Sequence, residues 1–131
     1  MITVAELRTL ARARLRDAEV LLLRGRHDGA VYLCGYAVEL ALKARICRTL
    51  HWSAFPATTA EFRDYQSFRV HDLEVLLHLS GIESKILSRF PSEWSALSKW
   101  NPEIRYVPLG SAGIHDAHHM IEAAKALVRV L

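Results

Sequence analysis

Residues 28–50 restrict the fold of this 131-residue chain more than any other segment. Val31, Leu33, Cys34, Ala37, Val38, Leu40, Ala41, Leu42, Ala44 and Ile46 cover almost the whole circumference of one helix. A helix that is apolar nearly all round belongs at the centre of a bundle, because every face must be covered. Asp28 is its expected N-cap and Leu50 its approximate end. One feature interrupts the apolar surface: Tyr32, Tyr36, Glu39 and Lys43 recur at i, i+4, i+7 and i+11 and align as a single polar strip. Gly35 in mid-helix costs about 1 kcal/mol relative to Ala, so another backbone is expected to come close there. The most apolar stretch, 30–44, contains Glu39 and Lys43 and is shorter than the roughly 20 residues of a bilayer span. No membrane association is expected.

The rest of the chain supplies covers for that rod. Thr3-Val4-Ala5-Glu6 has the pattern of a capping box, and Val4, Leu7, Ala11, Leu15, Ala18 and Leu22 then form one apolar stripe. This helix should end near Arg24, with Gly25 as the stop. Arg8, Arg12 and Arg16 follow one another along one flank and read first as a solvated edge and second as a phosphate-binding ridge. At the other end of the chain, Ile114, Ala117, Ile121, Ala124, Val128 and Leu131 make the buried stripe of a final helix that starts between Ser111 and Ile114. Between these long elements, residues 51–67 read as irregular, with one helical turn around 61–65. His71 or Asp72 can cap a short helix carrying Leu73, Leu76, Leu77 and Leu79, and Ser80-Gly81 stops it. A second short piece covers 82–90, and Pro91 restarts a helix through Trp94, Leu97 and Trp100 that Asn101-Pro102 must break. Residues 103–110 read as an extended loop. The pattern predicts an all-α, up-and-down bundle of five to six helices in one domain spanning 1–131.

Composition agrees with that class. Six Gly and four Pro are too few for the many turns of a sandwich or barrel, and 51% hydrophobic against 24% charged residues excludes disorder. Cys34 and Cys47, thirteen apart on one helix, point to different faces and cannot bridge. Free buried thiols fit a reducing compartment, and the first residues lack the basic stretch and apolar core of a signal peptide, so a cytoplasmic location is expected. The net charge of +3 is unevenly spread: residues 1–50 hold nine Lys and Arg against five acids, and the remainder eight against nine. That excess permits an anionic partner such as RNA or nucleotide without announcing one.

The second helix, Tyr32-Leu33-Cys34-Gly35-Tyr36-Ala37-Val38-Glu39-Leu40-Ala41-Leu42-Lys43-Ala44, resembles the central helix of HEPN domains, the prokaryotic and eukaryotic nucleotide-binding bundles. Three further features occur in the order that family shows: the first helix ending Leu21-Leu22-Leu23-Arg24-Gly25-Arg26-His27-Asp28, the His71-Asp72-Leu73-x-x-Leu76-Leu77 element, and Arg105-Tyr106-x-Pro108 before a final Ala-rich helix. The resemblance implies dimerisation through the long helices, which a small chain with several amphipathic faces also favours. It implies two functional branches. One is metal-independent ribonucleases, often toxins, with an Arg followed four to six residues later by His at a late helix. The other is small non-catalytic partners of minimal nucleotidyltransferases. In this chain only Arg45 to His51 has the ribonuclease spacing, and it lies at the end of the second helix.

The expected function is therefore a non-catalytic nucleotide- or RNA-binding or adaptor protein, a homodimer partnering a nucleotidyltransferase in a toxin–antitoxin or stress system. The alternative is a ribonuclease using a divergent Arg/His pair. Arg45 and His51 can converge only if the helix frays before His51, and His71 reads first as a cap or core lid and second as a base. Glu39 needs a partner, because burying an unpaired carboxylate costs several kcal/mol. Lys43, Arg105 and His71 are the candidates. The strip Tyr36, Glu39 and Lys43, with Arg105 and Tyr106, is either a polar network fixing the bundle or dimer register, or a groove where the rings stack on a base and the cations meet phosphate. His115 and His119 have metal-ligand spacing but lie opposite the apolar stripe, so no metal is expected. Nothing resembles a phosphate-cradling loop, a Ser/His/Asp order or a redox CxxC, and no cofactor is expected.

Overall fold

The computed structural model describes residues 1–131 and contains six α-helices and one small sheet. The long helices are α1 (Val4–Leu23), α2 (His27–Leu50) and α6 (Ile114–Val130). The short ones are α3 (Leu73–Leu79), α4 (Glu83–Arg89) and α5 (Pro91–Leu97). The fold is the all-α bundle that the apolar stripes predict. The Thr3–Glu6 capping box forms in both directions: the Glu6 N–H donates to Thr3 Oγ1 at 3.2 Å and the Thr3 N–H to Glu6 Oε2 at 2.8 Å. Gly25, with φ +74°, turns the chain back on itself so that α1 and α2 form an antiparallel hairpin. α6 packs against both, and one cluster of 27 buried residues joins all three long helices. Leu42, Ile46, Ile121 and Leu127 are fully enclosed in it, each contributing about 2 kcal/mol of transfer free energy.

Several local expectations are revised. Asp28 is not the N-cap of α2; Arg26 holds that place, and Asp28 sits in the first turn. Its carboxylate accepts instead from the N–H groups of Gly110 at 2.7 Å and Ala112 at 2.9 Å, tying the loop before α6 to the start of α2. Gly35 makes room for a side chain and not a backbone. A Cβ there would lie 2.1 Å from the indole of Trp100, which is buried against α2. α5 ends at Leu97, so Trp100 lies beyond it. Residues 102–106 form a 3-10 turn where an extended loop was expected, and its first N–H groups are met by Asn101. Ile114 begins α6 but is more than half exposed, outside the buried stripe.

The irregular stretch after α2 contains the one feature the helical pattern hides. Ala54–Phe55 (β2) pairs antiparallel with Ile2–Thr3 (β1), Ile2 opposite Phe55. The two-residue pairing is anchored by aromatic packing: Trp52 meets Phe68 at 4.9 Å, and Phe55 meets Phe62 at 6.0 Å. This cluster holds the long loop against α2 and delivers His71 to the middle of that helix. Asp72 then caps α3, accepting from Glu74 N at 2.9 Å and Val75 N at 3.2 Å.

No helix is long and apolar enough to cross a membrane.

Candidate functional site

The polar strip of α2 divides into two halves with different surroundings. At the C-terminal half, Glu39 is only 3% exposed. One carboxylate oxygen faces His71 Nδ1 at 2.5 Å and the other faces Lys43 Nζ at 3.8 Å. Of the three partners the sequence offers for Glu39, Lys43 and His71 are recruited and Arg105 is not. Lys43 also lies 5.5 Å over the Phe55 ring. Burial lowers the Lys43 pKa and the Glu39 charge offsets part of that shift. His71 is on the loop side of the triad with its side chain 58% exposed. Because Nδ1 is turned to the carboxylate, Nε2 is the nitrogen presented to solvent.

At the N-terminal half the strip is aromatic. Tyr32 and Tyr36 pack edge to face at 5.2 Å, and Tyr36 meets Trp100 at 4.9 Å in the same manner. Burial, aided by Tyr32, pushes the Tyr36 phenol up to about 12. Arg105 arrives from the 3-10 turn, stacks over Tyr106 at 4.7 Å and has its pKa raised by hydrogen bonding to Tyr106 and then Tyr32. Beside these groups a cleft of about 510 Å³ opens between the start of α2 and the 102–112 segment, lined by Arg26, His27, Tyr32, Arg105 and Val107 among others. Its wall is fixed by the two N–H bonds to Asp28, which hold that carboxyl below its usual range. Tyr106 is 76% exposed, and neither it nor Tyr36 lines the cleft.

The strip therefore brings Tyr36, Arg105 and Tyr106 together but leaves Lys43 apart, eleven residues and about 16 Å along the axis from Tyr32. Arg26 and Tyr32 complete the cleft and were not singled out as ligand contacts. Arg26 carries no periodic signal, because it lies in the turn between helices. Asp28 was read as a cap from its residue type, and nothing local shows that it serves a loop 82 residues away.

The remaining candidates lie elsewhere. Arg45 is half-buried with its Nε lacking a partner, near Arg8 and Arg48. His51 is the exposed left-handed cap of α2, φ 59°, beside Trp52 and Tyr65. The helix does not fray before it, and the two side chains do not share a cleft. His115 and His119 are exposed on α6, and no cluster of three or more His, Cys, Asp or Glu forms around them. Cys34 is buried, which pushes its thiol up to about 12, and Cys47 is also buried and free.

The family described as HEPN domain matches residues 4–131 of this sequence, essentially all of it. The chain belongs to the HEPN family. Membership points to a function connected with nucleotides or RNA. No curated protein and no solved structure matches it. In this HEPN chain the His71–Glu39–Lys43 triad sits at the middle of the central helix and the Arg105–tyrosine cleft at its start, and their chemistry differs. The triad has neutralised its charges internally. In the cleft Arg26 and Arg105 make no ion pair, the Asp28 carboxylate being bonded to main-chain N–H groups, and the Tyr32 ring beside them can stack.

Proposed function

We propose that the protein is a non-catalytic nucleotide- or RNA-binding HEPN adaptor whose ligand site is the cleft at the start of α2. The observation that carries this reading is the meeting of Arg105, Arg26 and Tyr32 around a space of about 510 Å³. Guanidinium groups supply planar donors for phosphate, and an adjacent phenol ring gives a base a surface to stack on. The adaptor would act as a homodimer through its long helices, in the cytoplasm, with a minimal nucleotidyltransferase as partner in a toxin–antitoxin or stress system. Titration calorimetry with AMP and GMP, which carry a base and a single phosphate, tests the site. Binding to the native chain that disappears in Arg105→Ala supports it, and equal affinity in native and variant chains removes it.

A second reading is favoured by one observation, the Glu39–His71 contact. A buried carboxylate that orients Nδ1 leaves Nε2 outward as a general base, the arrangement a metal-independent ribonuclease needs to activate a 2′-hydroxyl. RNA cleavage in EDTA that is lost in His71→Ala would establish an enzyme and displace the adaptor. Cleavage lost in His51→Ala would instead return the role to the Arg45/His51 pair.

A further inference from the structure

The three long helices leave a second cleft on another side of the molecule. It is bounded by α1, the C-terminal half of α2 and the end of α6, and measures about 480 Å³. Five cations line it: Arg8, Arg12, Arg48, Lys125 and Arg129, with no carboxylate side chain among the lining residues. Lys125 is occupied, at 3.3 Å from Glu19 and 3.6 Å from Glu122. Arg12, Arg48 and Arg129 are exposed and make no ion pair, while Arg8 reaches only the main-chain oxygen of Leu131 at 3.3 Å. Beneath them the floor is apolar, formed by Ala11, Leu15 and Ala41. Walls of one sign over a low-dielectric floor focus the field and concentrate counter-ions.

The fold holds these charges together at a cost. Arg45, immediately behind the cleft, has its pKa lowered by burial and then by the charges of Arg48 and Arg8, and the Nε groups of Arg8 and Arg45 are buried without a partner. Sequence places the arginines in register along two helices, Arg8 and Arg12 one turn apart on α1, Arg45 and Arg48 on α2. A bound anion supplies the acceptors that the protein withholds.

We propose that this cleft binds a short linear chain of phosphates, recognised without a nucleobase. Two observations select that chemistry among anions. No aromatic residue lines the cleft, so it has no platform on which a base can stack, in contrast with the tyrosine cleft. Its length is also short: Arg8 to Leu15 and Ala41 to Arg48 each span seven residues, about 10 Å of helix. Phosphates joined by single bridging oxygens present several charges within that length, whereas in a nucleic acid strand a sugar separates successive phosphates. Inorganic polyphosphate and the triphosphate tail of a nucleotide share this chemistry. The site differs from the one proposed above, and its failure leaves that reading intact.

The test is calorimetric titration of the full chain with sodium tripolyphosphate, ATP, citrate and a 12-nucleotide single-stranded RNA, each against native protein, Arg12→Gln, Arg129→Gln, the double variant and Arg105→Ala. Both glutamine positions are exposed, and thermal melts establish that the variants fold. The expected result is tripolyphosphate binding that falls about tenfold or more in each single variant, vanishes in the double variant and persists in Arg105→Ala. ATP should retain a component lost only in the double variant, and citrate should bind far more weakly. Absence of tripolyphosphate binding overturns the proposal, as does binding indifferent to Arg12 and Arg129. Binding lost in Arg105→Ala would assign the phosphates to the tyrosine cleft. RNA binding tighter than tripolyphosphate and dependent on Arg12 would make the cleft a nucleic-acid track and overturn the base-free assignment.

Discussion

The two ends of the polar strip on α2 share a helix and a register, yet one is closed and the other open. At Glu39 the carboxylate is 3% exposed and answered on both oxygens, by His71 and Lys43. At Tyr32 neither Arg26 nor Arg105 makes an ion pair, the one acid of the cleft, Asp28, accepts from two main-chain N–H groups, and a cleft remains. The difference arises from what each end meets. The closed end faces a loop stapled down by aromatic packing around Phe55, whereas the open end faces a 3-10 turn followed by a loop that is tied to Asp28. Charge satisfied within the chain stabilises the bundle, and charge left unanswered is available to a ligand.

The largest test of that contrast is Glu39→Ala, which strands Lys43 over Phe55 without its counter-charge. We expect a loss of about 4 kcal/mol, because removing one partner of a buried pair leaves the other charge uncompensated. Urea unfolding reads this as a fall in midpoint, and an unchanged midpoint would mean the closed end is not structural. Replacing the pair together, Glu39→Leu with Lys43→Met, should recover most of the loss. Next comes Gly35→Ala, between the two ends. A Cβ placed 2.1 Å from the Trp100 ring must displace it, at a cost of about 3 kcal/mol by overpacking. A thermal melt that does not move would show that Trp100 can give way freely.

At the open end the expected effects are on binding. Arg105→Ala should leave the melting temperature within a degree or so, since the group is exposed, and should weaken nucleotide binding about tenfold or more. A large loss of stability in this variant would make the open end structural too, and the contrast would collapse. The smallest effect is acidification of the Asp28 latch. Its folded pKa lies below the unfolded value, so its stabilisation is complete above the unfolded pKa and is lost as pH falls through the folded one. Protection of Gly110 and Ala112 against hydrogen exchange, taken relative to the intrinsic rate at each pH, should therefore fall as pH drops below about 4 in the native chain. In Asp28→Ala it should be low at every pH. Protection that persists at low pH would show that other contacts hold the loop.

Most of the bundle can be read from the residues alone. The stripe Leu7, Ala11, Ala18 and the stripe Ala117, Ile121, Ala124 reach the core as their periodicity requires, and the Thr3–Glu6 box closes. The candidate site is only half legible. That Glu39 requires a partner follows from burial, but the choice of His71 over Arg105 depends on where a loop of more than twenty residues returns. The pairing of Ile2–Thr3 with Ala54–Phe55 is invisible for the same reason: two residues carry no period, and the contact spans half a hundred positions of chain. The cation cluster is legible only in part: Arg8 and Arg12 form a ridge on their own helix, but Arg16 stays outside the cleft and Arg48 and Arg129 come from elsewhere.

The extent of the long helices, the Thr3–Glu6 box and most of the buried faces are set by interactions within four residues of one another, and the sequence determines them by itself. The partners of Glu39, the role of Asp28, the indole over Gly35 and the gathering of arginines between three helices were decided only in the folded chain. These contacts join segments as far apart in the chain as Arg8 and Arg129, and they form only after the apolar faces have fixed how the helices stack.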